Sequence, residues 1–288
     1  MTMPGAAFPL VGTPAIVTGS GQGIGFDIAR HLMRAGADVL VYDINPEVAA
    51  PAAQALADEF PERRAVAFVG DVADEDDMRS AFDLAIAELG MPRILVNNAG
   101  VSDLRPLVRL SVDEWRRVFD VCALGAFLGT RELARRYMEE GMTGGAVIST
   151  SSLNFQIPSE GLGHYVAAKA AVSQFTKQAA LELAPLEIRV NAIAPGVVAT
   201  PLAASYILGD ENVAKGFIDR TPLGRFGKTE DVARVALFLA SEGAGWITGE
   251  TIRVDGGAHM RGLPNFWQGM APVLGLPEVT PGEWRTQV

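Results

Sequence analysis

The sequence has little of what metal centres, disulfide frameworks and nucleic-acid interfaces are built from. Its 288 residues include one cysteine and three histidines, and the formal net charge is -10. A single thiol, Cys122, excludes an internal disulfide and fits a reducing compartment. The histidines have no metal-ligand spacing, so we predict no metal site. A surface with this charge repels a phosphate backbone, which argues against nucleic acid as a partner.

Long apolar runs are also absent. No uninterrupted apolar stretch approaches the roughly 20 residues that a helix needs to cross a bilayer. Residues 1–10 lack the charged and apolar regions of a secretion signal. These absences predict a cytoplasmic protein without a membrane partner. The 49% of hydrophobic residues suffices for one large core, and α/β domains of this length are often single.

Short runs rich in β-branched residues alternate with longer stretches of helical periodicity. This alternation predicts a single-domain α/β fold, a doubly wound parallel sheet of seven strands with helices on both faces. The predicted strands are Ala15–Thr18, Asp38–Tyr42, Ala65–Val69, Ile94–Val96, Ala146–Thr150, Ile188–Ile193 and Thr251–Val254. The predicted helices are Gly23–Ala35, Pro46–Phe60, Glu75–Leu89, Val112–Glu140, Gly163–Ala184 and Thr229–Ser241.

Two segments interrupt the alternation. Residues 200–223 follow a strand and are rich in glycine and proline, which predicts a mobile substrate loop with one short helix. The end of the chain, residues 258–288, predicts an irregular extension. Its Phe266, Trp267 and Trp284 are too apolar for a disordered tail, so we expect them to pack on this subunit or on a neighbour.

A glycine-rich turn follows the first strand. Residues 18–25 read Thr-Gly-Ser-Gly-Gln-Gly-Ile-Gly and lead into the first helix. Glycines let the backbone approach a pyrophosphate closely, and the helix N-terminus supplies free N–H groups and a partial positive charge. The strand-turn-helix context favours a dinucleotide-binding turn. The alternative is a glycine loop that only reverses the chain.

The second strand ends beside an acidic residue, Asp43, about 20 positions after the glycine turn. A carboxylate there hydrogen-bonds the ribose hydroxyls of an adenine nucleotide and repels a 2′-phosphate. Ile44 follows it, and residues 20–22 provide no cation. These features predict NAD rather than NADP. The alternative is that Asp43 only caps the next turn.

Tyr165 and Lys169 lie four positions apart, on one face of a predicted helix. An ammonium beside a phenol favours the phenolate, which predicts a tyrosine pKa lowered from about 10 toward neutrality. Such a phenol takes or gives a proton near pH 7. Taken alone, the pair is also typical of a solvated helix face. Its context includes a serine cluster that ends at Ser152, thirteen positions before the tyrosine.

Together these motifs resemble those of the short-chain dehydrogenase/reductase family, in its compact type. The matching segments are, in order, Thr18–Gly25, Asp71-Val72, Asn97-Asn98-Ala99-Gly100, Ser152 with Tyr165 and Lys169, Pro195-Gly196 with Thr200, and Asp255-Gly256-Gly257. The resemblance covers roughly residues 10–257. It implies a Rossmann-like dinucleotide-binding and catalytic domain over residues 1–257, with the extension after it.

The resemblance implies an NAD-dependent oxidoreductase that transfers a hydride between the cofactor and a secondary alcohol or ketone. Tyr165 would be the general acid and base, and Lys169 would lower its pKa and hydrogen-bond the nicotinamide ribose. Ser152 would hold the substrate oxygen and stabilise charge developing there. Ser151 and Thr150 are rival hydroxyls, and the spacing to the tyrosine favours Ser152.

The resemblance also implies a cofactor site. Asp71 would contact the adenine amine, Asn98 would lie along the adenosine ribose, and Thr200 would hold the carboxamide. The full predicted set is Gly19, Ser20, Gln22, Gly23, Ile24, Gly25, Asp43, Ile44, Asp71, Val72, Asn98, Ala99, Gly100, Tyr165, Lys169, Pro195, Gly196, Val198 and Thr200.

One position departs from the family pattern. The family has a catalytic asparagine in its long fourth helix, and Cys122 stands there in the run Val-Cys-Ala-Leu-Gly at residues 121–125. A thiol is a weak donor and acceptor, so the water chain that the asparagine supports would depend on the main-chain carbonyl of Cys122. The alternative is a buried apolar filler, which the lack of an adjacent cation favours.

The substrate pocket is predicted to be mostly apolar, which favours a hydrophobic or alicyclic alcohol or ketone. The predicted substrate contacts are Ser152, Asn154, Phe155, Leu202 and Tyr206. Phe266 and Trp267 of the extension are further candidates to close the pocket. The family pairs the alanine-rich helix 163–184 and the helix before it across a two-fold axis, which implies a homotetramer or homodimer.

Two other functions remain open at this stage. A 3-oxoacyl-carrier-protein reductase shares nearly every motif, but Asp43 and the acidic surface disfavour it. An NAD-binding regulator that has lost catalysis would fit the exchange of asparagine for Cys122. Intact Ser152, Tyr165 and Lys169 argue against that interpretation, because a binding module needs no tuned phenol.

Overall fold

Seven parallel strands form the centre of the computed structural model, which describes residues 8–203, 207 and 209–262. The strands are β1 (Pro14–Thr18), β2 (Asp38–Asp43), β3 (Ala65–Val69), β4 (Ile94–Asn97), β5 (Gly145–Thr150), β6 (Ile188–Pro195) and β7 (Thr251–Val254). Their order across the sheet is β3-β2-β1-β4-β5-β6-β7. The order reverses direction between β1 and β4, and ligands of such sheets bind at this switch point.

Helices cover both faces of the sheet. They are α1 (Gly23–Arg34), α2 (Pro46–Glu59), α3 (Glu75–Leu89), α4 (Val112–Phe119), α5 (Gly125–Glu140), α6 (Gly163–Leu183), α7 (Pro201–Ala203), α8 (Glu211–Arg220) and α9 (Thr229–Ala240). Successive strand residues point to opposite faces. Val17 therefore packs in a core with α1, α2 and α9, and Ile16 packs in a second core with α3, α5 and α6.

The predicted fold class is confirmed, and most element bounds agree within two residues. The main difference lies in the long helix predicted over residues 112–140. A π-helical segment, Asp120–Leu124, separates α4 from α5 and contains Cys122. Such a segment widens one turn of a helix and often marks a functional site. Hydrophobic periodicity does not detect it, because the chain stays helical on both sides.

The loop predicted with one short helix holds two helices within its described residues, α7 and α8. The Asp210 side chain caps α8 by accepting hydrogen bonds from the amides of Asn212 and Val213. Residues 263–288, with Phe266, Trp267 and Trp284, lie outside the described residues. The domain boundary at residue 257 therefore stays a prediction. No helix in the described part of the chain is both long and apolar enough to cross a membrane.

Close packing of α5 on the sheet depends on Gly129. A Cβ added there would lie 2.7 Å from Asn97 Oδ1 and 3.3 Å from Leu95 Cδ2. Asn97 in turn donates its amide hydrogens to the Ala126 carbonyl at 3.3 Å and to Thr130 Oγ1 at 3.1 Å. Gly129 therefore lets α5 approach β4, the strand that leads into the site.

We predict that Gly129→Ala destabilises the fold. Alanine favours a helix over glycine by about 1 kcal/mol, but overpacking a tight core costs about 1–3 kcal/mol, so the free energy of unfolding should fall. Gly163→Ala is the matched control, because its nearest new contact would be Leu107 Cδ1 at 3.9 Å. Thermal denaturation of both variants checks this. Equal melting temperatures for the two variants would contradict it.

Candidate active site

Most of the predicted site residues that the structure describes meet at one edge of the sheet. Carboxyl ends of parallel strands share an edge, and the glycine turn follows β1, Asn98 follows β4, Ser152 follows β5, and Gly196 follows β6. Helix α6 brings Tyr165 and Lys169 to the same edge, next to the end of β5. Residues that are far apart in the sequence therefore form one cluster.

Two glycines at the turn between β1 and α1 have no room for a side chain. A Cβ on Gly19 would lie 2.7 Å from Ala99 Cα, and one on Gly25 would lie 2.2 Å from the Gly19 carbonyl oxygen. Gly19 and Gly23 have φ of +60° and +62°, where side chains are disfavoured. These positions need glycine for the turn itself and for close packing of α1.

The start of α1 fits a bound pyrophosphate. Gln22 precedes the helix without a side-chain cap, and the first turn contains no acidic residue. By contrast, Asp74 caps α3 by accepting from the amides of Asp76 and Asp77. Uncapped N–H groups at a helix N-terminus are an anion site. The turn therefore matches the phosphate group of a dinucleotide.

Ser20 is turned toward the fold. Its hydroxyl donates to the Val17 carbonyl at 2.5 Å and accepts from the Tyr42 amide at 3.2 Å. Its own amide donates to the Tyr42 carbonyl at 3.3 Å. Ser20 is fully buried, so it holds the turn against β2. The contact of Ser20 with the dinucleotide stays a prediction. Its hydroxyl and amide hydrogens both already have acceptors within the protein.

Asp43 lies beside the glycine turn. Its Oδ2 accepts from the Gly21 amide at 3.0 Å, and its Oδ1 accepts from the Asn45 amide at 3.1 Å. The second bond is the turn-capping role given above as the alternative. Among the described residues Asp43 forms no ion pair, and the neighbouring Ile44 is exposed. The contact of this carboxylate with an adenosine ribose stays a prediction.

Asn98 connects the glycine turn to β5. Its Nδ2 donates to the carbonyls of Thr18 at 3.1 Å and Gly19 at 3.0 Å, and its Oδ1 accepts from Thr150 Oγ1 at 3.1 Å. The side chain is thus used inside the protein, although the resemblance places it along the ribose. Thr18 Oγ1 accepts from the amides of Asn98 and Ala99 at 3.0 Å and 3.1 Å. The sequence motif contains Thr18, but only the fold reveals this role.

The remaining predicted cofactor residues line the same edge. Asp71 follows β3, where its Oδ1 accepts from the Ala73 amide at 2.9 Å. Val72 is buried against Gly125, whose added Cβ would lie 2.9 Å from Val72 Cγ2. Thr200 Oγ1 accepts from the Ala203 amide at 3.2 Å at the start of α7. The cofactor roles of all these residues stay predictions.

Lys169 is a buried cation beside the phenol of Tyr165. The lysine is 2% exposed, its Nζ donates to the Thr150 carbonyl at 2.7 Å, and its Nζ lies 5.5 Å from the centre of the Tyr165 ring. A buried ammonium requires partners. The Thr150 carbonyl holds the ammonium near Tyr165, as the i, i+4 spacing predicts.

Burial raises the pKa of Tyr165 above its ordinary value, because desolvation disfavours the phenolate. The nearby Lys169 cation and the Ser152 hydroxyl both lower that pKa, but by less than burial raises it. The prediction of a pKa lowered toward neutrality is therefore wrong for the chain alone. The sequence spacing predicts the neighbouring cation, but it does not predict how strongly the phenol is desolvated.

Ser152 is the serine that faces the tyrosine. The rival Ser151 donates its hydroxyl to the Lys169 carbonyl at 2.9 Å and shares a hydrogen bond with Ser173 at 2.8 Å. The rival Thr150 uses its hydroxyl on Asn98. Ser152 Oγ instead lies close enough to Tyr165 to lower the pKa of its phenol, and it accepts from the Asn154 amide at 3.1 Å. The structure thus favours the serine chosen by spacing.

Cys122 is buried in the π segment, close to the phenol and the ammonium. Its Sγ donates to the Val101 carbonyl at 3.7 Å, and it packs with Ala168 and Tyr165. A Cβ on Gly100 would lie 3.6 Å from Sγ and 3.3 Å from Lys169 Nζ. A cation is therefore near the thiol in space, although none is adjacent in sequence. This weakens one reason for treating Cys122 as inert filler.

A cavity of about 180 Å³ opens beside Ser152 and Tyr165. Most of its lining is apolar, and the lining residues include Ile24, Leu104, Leu153, Asn154, Leu162, Val197, Thr200, Ile207 and Phe217. Phe155, predicted to contact substrate, does not line it, because its ring lies under the Arg253 guanidinium at 5.7 Å. The Leu202 side chain and Tyr206 lie outside the described residues. The described residues form no cluster of three or more potential metal ligands.

Comparison with known proteins places these features in a group of dehydrogenases and reductases. A family model described as enoyl-(acyl carrier protein) reductase matches residues 19–259. A short-chain type dehydrogenase/reductase of Picea abies is 38% identical over 256 residues, covering 86% of this chain and 93% of its own. A 3-oxoacyl-(acyl-carrier-protein) reductase of Chlamydia trachomatis is 37% identical, covering 86% and 98%. A cyclohexanol dehydrogenase of Acinetobacter sp. is 36% identical, covering 84% and 93%.

Solved structures agree with this grouping. A short-chain type dehydrogenase/reductase from Mycobacterium ulcerans superposes with a TM-score of 0.88 at 32% identity, covering 97% of this chain and 100% of its own. A gluconate 5-dehydrogenase from Burkholderia cenocepacia, in complex with NADP and tartrate, gives a TM-score of 0.82 at 35% identity. That comparison covers 88% of this chain and 97% of the other.

Proposed function

The chain belongs to the short-chain dehydrogenase/reductase family, and on that premise we propose that it uses NAD to interconvert a secondary alcohol and a ketone. The observation that carries this proposal is the cluster of Tyr165 with the buried side chains of Ser152 and Lys169. The cluster lies at the wall of an apolar cavity, at the sheet edge that also holds the glycine turn. We propose Tyr165 as the general acid and base.

The proton path follows from the geometry of the cluster. A bound nicotinamide ring supplies the redox chemistry by exchanging a hydride with the carbinol carbon. In alcohol oxidation the Tyr165 phenolate takes the hydroxyl proton of the substrate, and in ketone reduction the phenol returns it to the carbonyl oxygen. Ser152 Oγ donates a hydrogen bond to that oxygen and stabilises the charge that develops on it.

The Lys169 ammonium offsets part of the free-energy cost of forming a desolvated phenolate at Tyr165. Its ammonium lies 5.5 Å from the centre of the tyrosine ring, in a site where low polarisability strengthens electrostatic attraction. Within the described structure, one N–H group of this ammonium donates to the Thr150 carbonyl. We propose that its other N–H groups hold the nicotinamide ribose, as the family resemblance implies.

NAD is the cofactor that the residues after β2 favour. Asp43 already accepts two backbone amides, and its negative charge would repel the 2′-phosphate of NADP. Ile44 supplies no positive charge in compensation. The NADP in the gluconate 5-dehydrogenase structure belongs to that protein, and the corresponding choice here rests on Asp43.

A small hydrophobic or alicyclic alcohol is the substrate class that the cavity favours. The mostly apolar lining suits a molecule with one polar group, and the cavity of about 180 Å³ is shared with the predicted cofactor residues Ile24 and Thr200. The likeness to a cyclohexanol dehydrogenase supports the same class. The likeness to a 3-oxoacyl-(acyl-carrier-protein) reductase supports the second candidate, which the net charge of -10 disfavours as a docking face for an acidic carrier protein.

We also propose a homo-oligomer formed through the face of α4, α5 and α6. Apolar side chains remain exposed there, among them Trp115 at 37%, Leu124 at 37% and Phe127 at 38%. Exposed apolar surface of this kind is typical of interfaces between subunits.

We predict that the purified chain forms NADH from NAD and cyclohexanol or related secondary alcohols. Tyr165→Phe should lower kcat by about 10²–10⁴-fold, the usual contribution of a positioned acid or base. Tyr137→Phe is the matched control, because that buried hydroxyl bonds only to the carbonyls of Pro92 and Gly144 within the described part of the chain. Initial rates of NADH formation check both variants.

Wild-type activity in Tyr165→Phe would sink the proposed acid and base. Turnover of 3-oxoacyl thioesters with NADPH, without turnover of free alcohols, would instead favour the carrier-protein reductase. Binding of NAD without turnover of any member of either panel would indicate a regulator.

We predict that Asp43→Asn weakens the preference for NAD. The amide keeps one acceptor oxygen, so it retains one of the two hydrogen bonds from the Gly21 and Asn45 amides, and it loses the charge that repels a 2′-phosphate. The ratio of kcat/KM for NAD to that for NADP should fall about tenfold to a hundredfold, the size of one charged hydrogen bond. Glu47→Gln removes an equal charge in the first turn of α2 and should leave the ratio near wild type. An unchanged ratio in Asp43→Asn contradicts the assignment.

A further inference from the structure

We propose that Asn154 is a positioning residue that sets where Ser152 lies and where its hydroxyl hydrogen points. This inference rests on the proposed function and adds a residue to its machinery. The sequence prediction treats Asn154 as a substrate contact. Its hydrogen bonds indicate that it acts on the substrate through Ser152.

The orientation of the Asn154 amide follows from its partners. Nδ2 lies 2.9 Å from the Ile157 carbonyl and 2.9 Å from Ser159 Oγ. A carbonyl only accepts hydrogen bonds, so the nitrogen and not the oxygen of the amide must face Ile157. Both hydrogens of Nδ2 are therefore used within the loop, and Oδ1 points the other way.

Ser152 occupies the opposite side of the amide. Its Oγ lies 3.3 Å from Asn154 Oδ1 and accepts from the Asn154 backbone amide at 3.1 Å. Since Oδ1 carries no hydrogen, the serine must be the donor in the first contact. Asn154 thus holds Oγ through its backbone amide, which its side-chain bonds to Ile157 and Ser159 keep in place, and it directs the O–H bond through Oδ1.

The contact between Ser152 Oγ and Asn154 Oδ1 is weak enough for the serine to redirect its hydroxyl hydrogen to a bound substrate. Hydroxyl hydrogen bonds have typical lengths of about 2.7–2.8 Å, so a separation of 3.3 Å is a weak one. The substrate oxygen, with developing negative charge, competes well for the same hydrogen. Asn154 therefore keeps Ser152 in place without holding its proton firmly.

The outer side of the same loop is held independently. Gln156 is exposed, and its Oε1 accepts from Arg253 Nε at 3.1 Å on β7. This pair anchors the loop without contacting Ser152 in the described structure. Gln156→Ala is therefore the matched control for loosening the loop alone.

The test is a double-mutant cycle between positions 152 and 154, measured with NAD and cyclohexanol. Asn154→Leu should lower kcat about tenfold and leave the KM for the alcohol within about twofold, because a transition-state contact is lost rather than uniform binding. In a Ser152→Ala background, measured at high enzyme concentration, the same change should alter kcat by less than about twofold. Gln156→Ala should leave kcat near wild type.

A crystal structure of Asn154→Leu gives a readout independent of turnover. Ser152 Oγ should leave its present position relative to Tyr165 in that structure. If Asn154→Leu does not fold, Asn154→Ala should give the same pattern in both the cycle and the structure.

Three outcomes would overturn the inference. They are an equal fall in kcat in both backgrounds, a rise in KM with unchanged kcat, and a Ser152 side chain that stays in place in the variant structure. The second would assign Asn154 to substrate binding. A wild-type enzyme that turns over no alcohol would instead defeat the proposed function, and the variant structure alone would then decide the role of Asn154.

Discussion

The hydrogen bond from the Lys169 ammonium to the Thr150 carbonyl is the contact on which the rest of the site depends. It ties α6 to the end of β5 at 2.7 Å, with the cation almost wholly buried. Thr150 also donates to Asn98, which holds the Thr18 and Gly19 carbonyls at the glycine turn. A continuous chain of hydrogen bonds therefore joins Lys169 to the glycine turn.

The electrostatics of this site are a balance of opposed effects. Burial raises the pKa of Tyr165, and the Lys169 cation and the Ser152 hydroxyl lower it. Moving the phenol outward would reduce the cost of the phenolate but would also expose the reacting oxygen to water and weaken the attraction to Lys169. A half-buried phenol beside a buried cation thus combines attraction to Lys169 with a phenolate that forms less easily.

Much of this arrangement can be predicted from sequence, and what cannot has physical reasons. Strand alternation, the glycine turn and the Tyr165–Lys169 spacing are local patterns, and they lead to the confirmed fold and to one cluster of residues. The π segment at Cys122, the inward-facing hydroxyl of Ser20 and the packing of Phe155 on Arg253 depend on tertiary neighbours. The direction of the Tyr165 pKa shift depends on burial depth, which spacing does not report.

The pH dependence of kcat/KM for alcohol oxidation in wild type and in Lys169→Met, at saturating NAD, tests the central claim most directly. Oxidation needs the phenolate, so kcat/KM should rise with pH through the pKa of Tyr165. Loss of the cation removes an influence that lowers this pKa, so the rise should move to higher pH in Lys169→Met. A rise at the same pH in both enzymes would contradict the account, because Lys169 would then have no part in tuning the phenol.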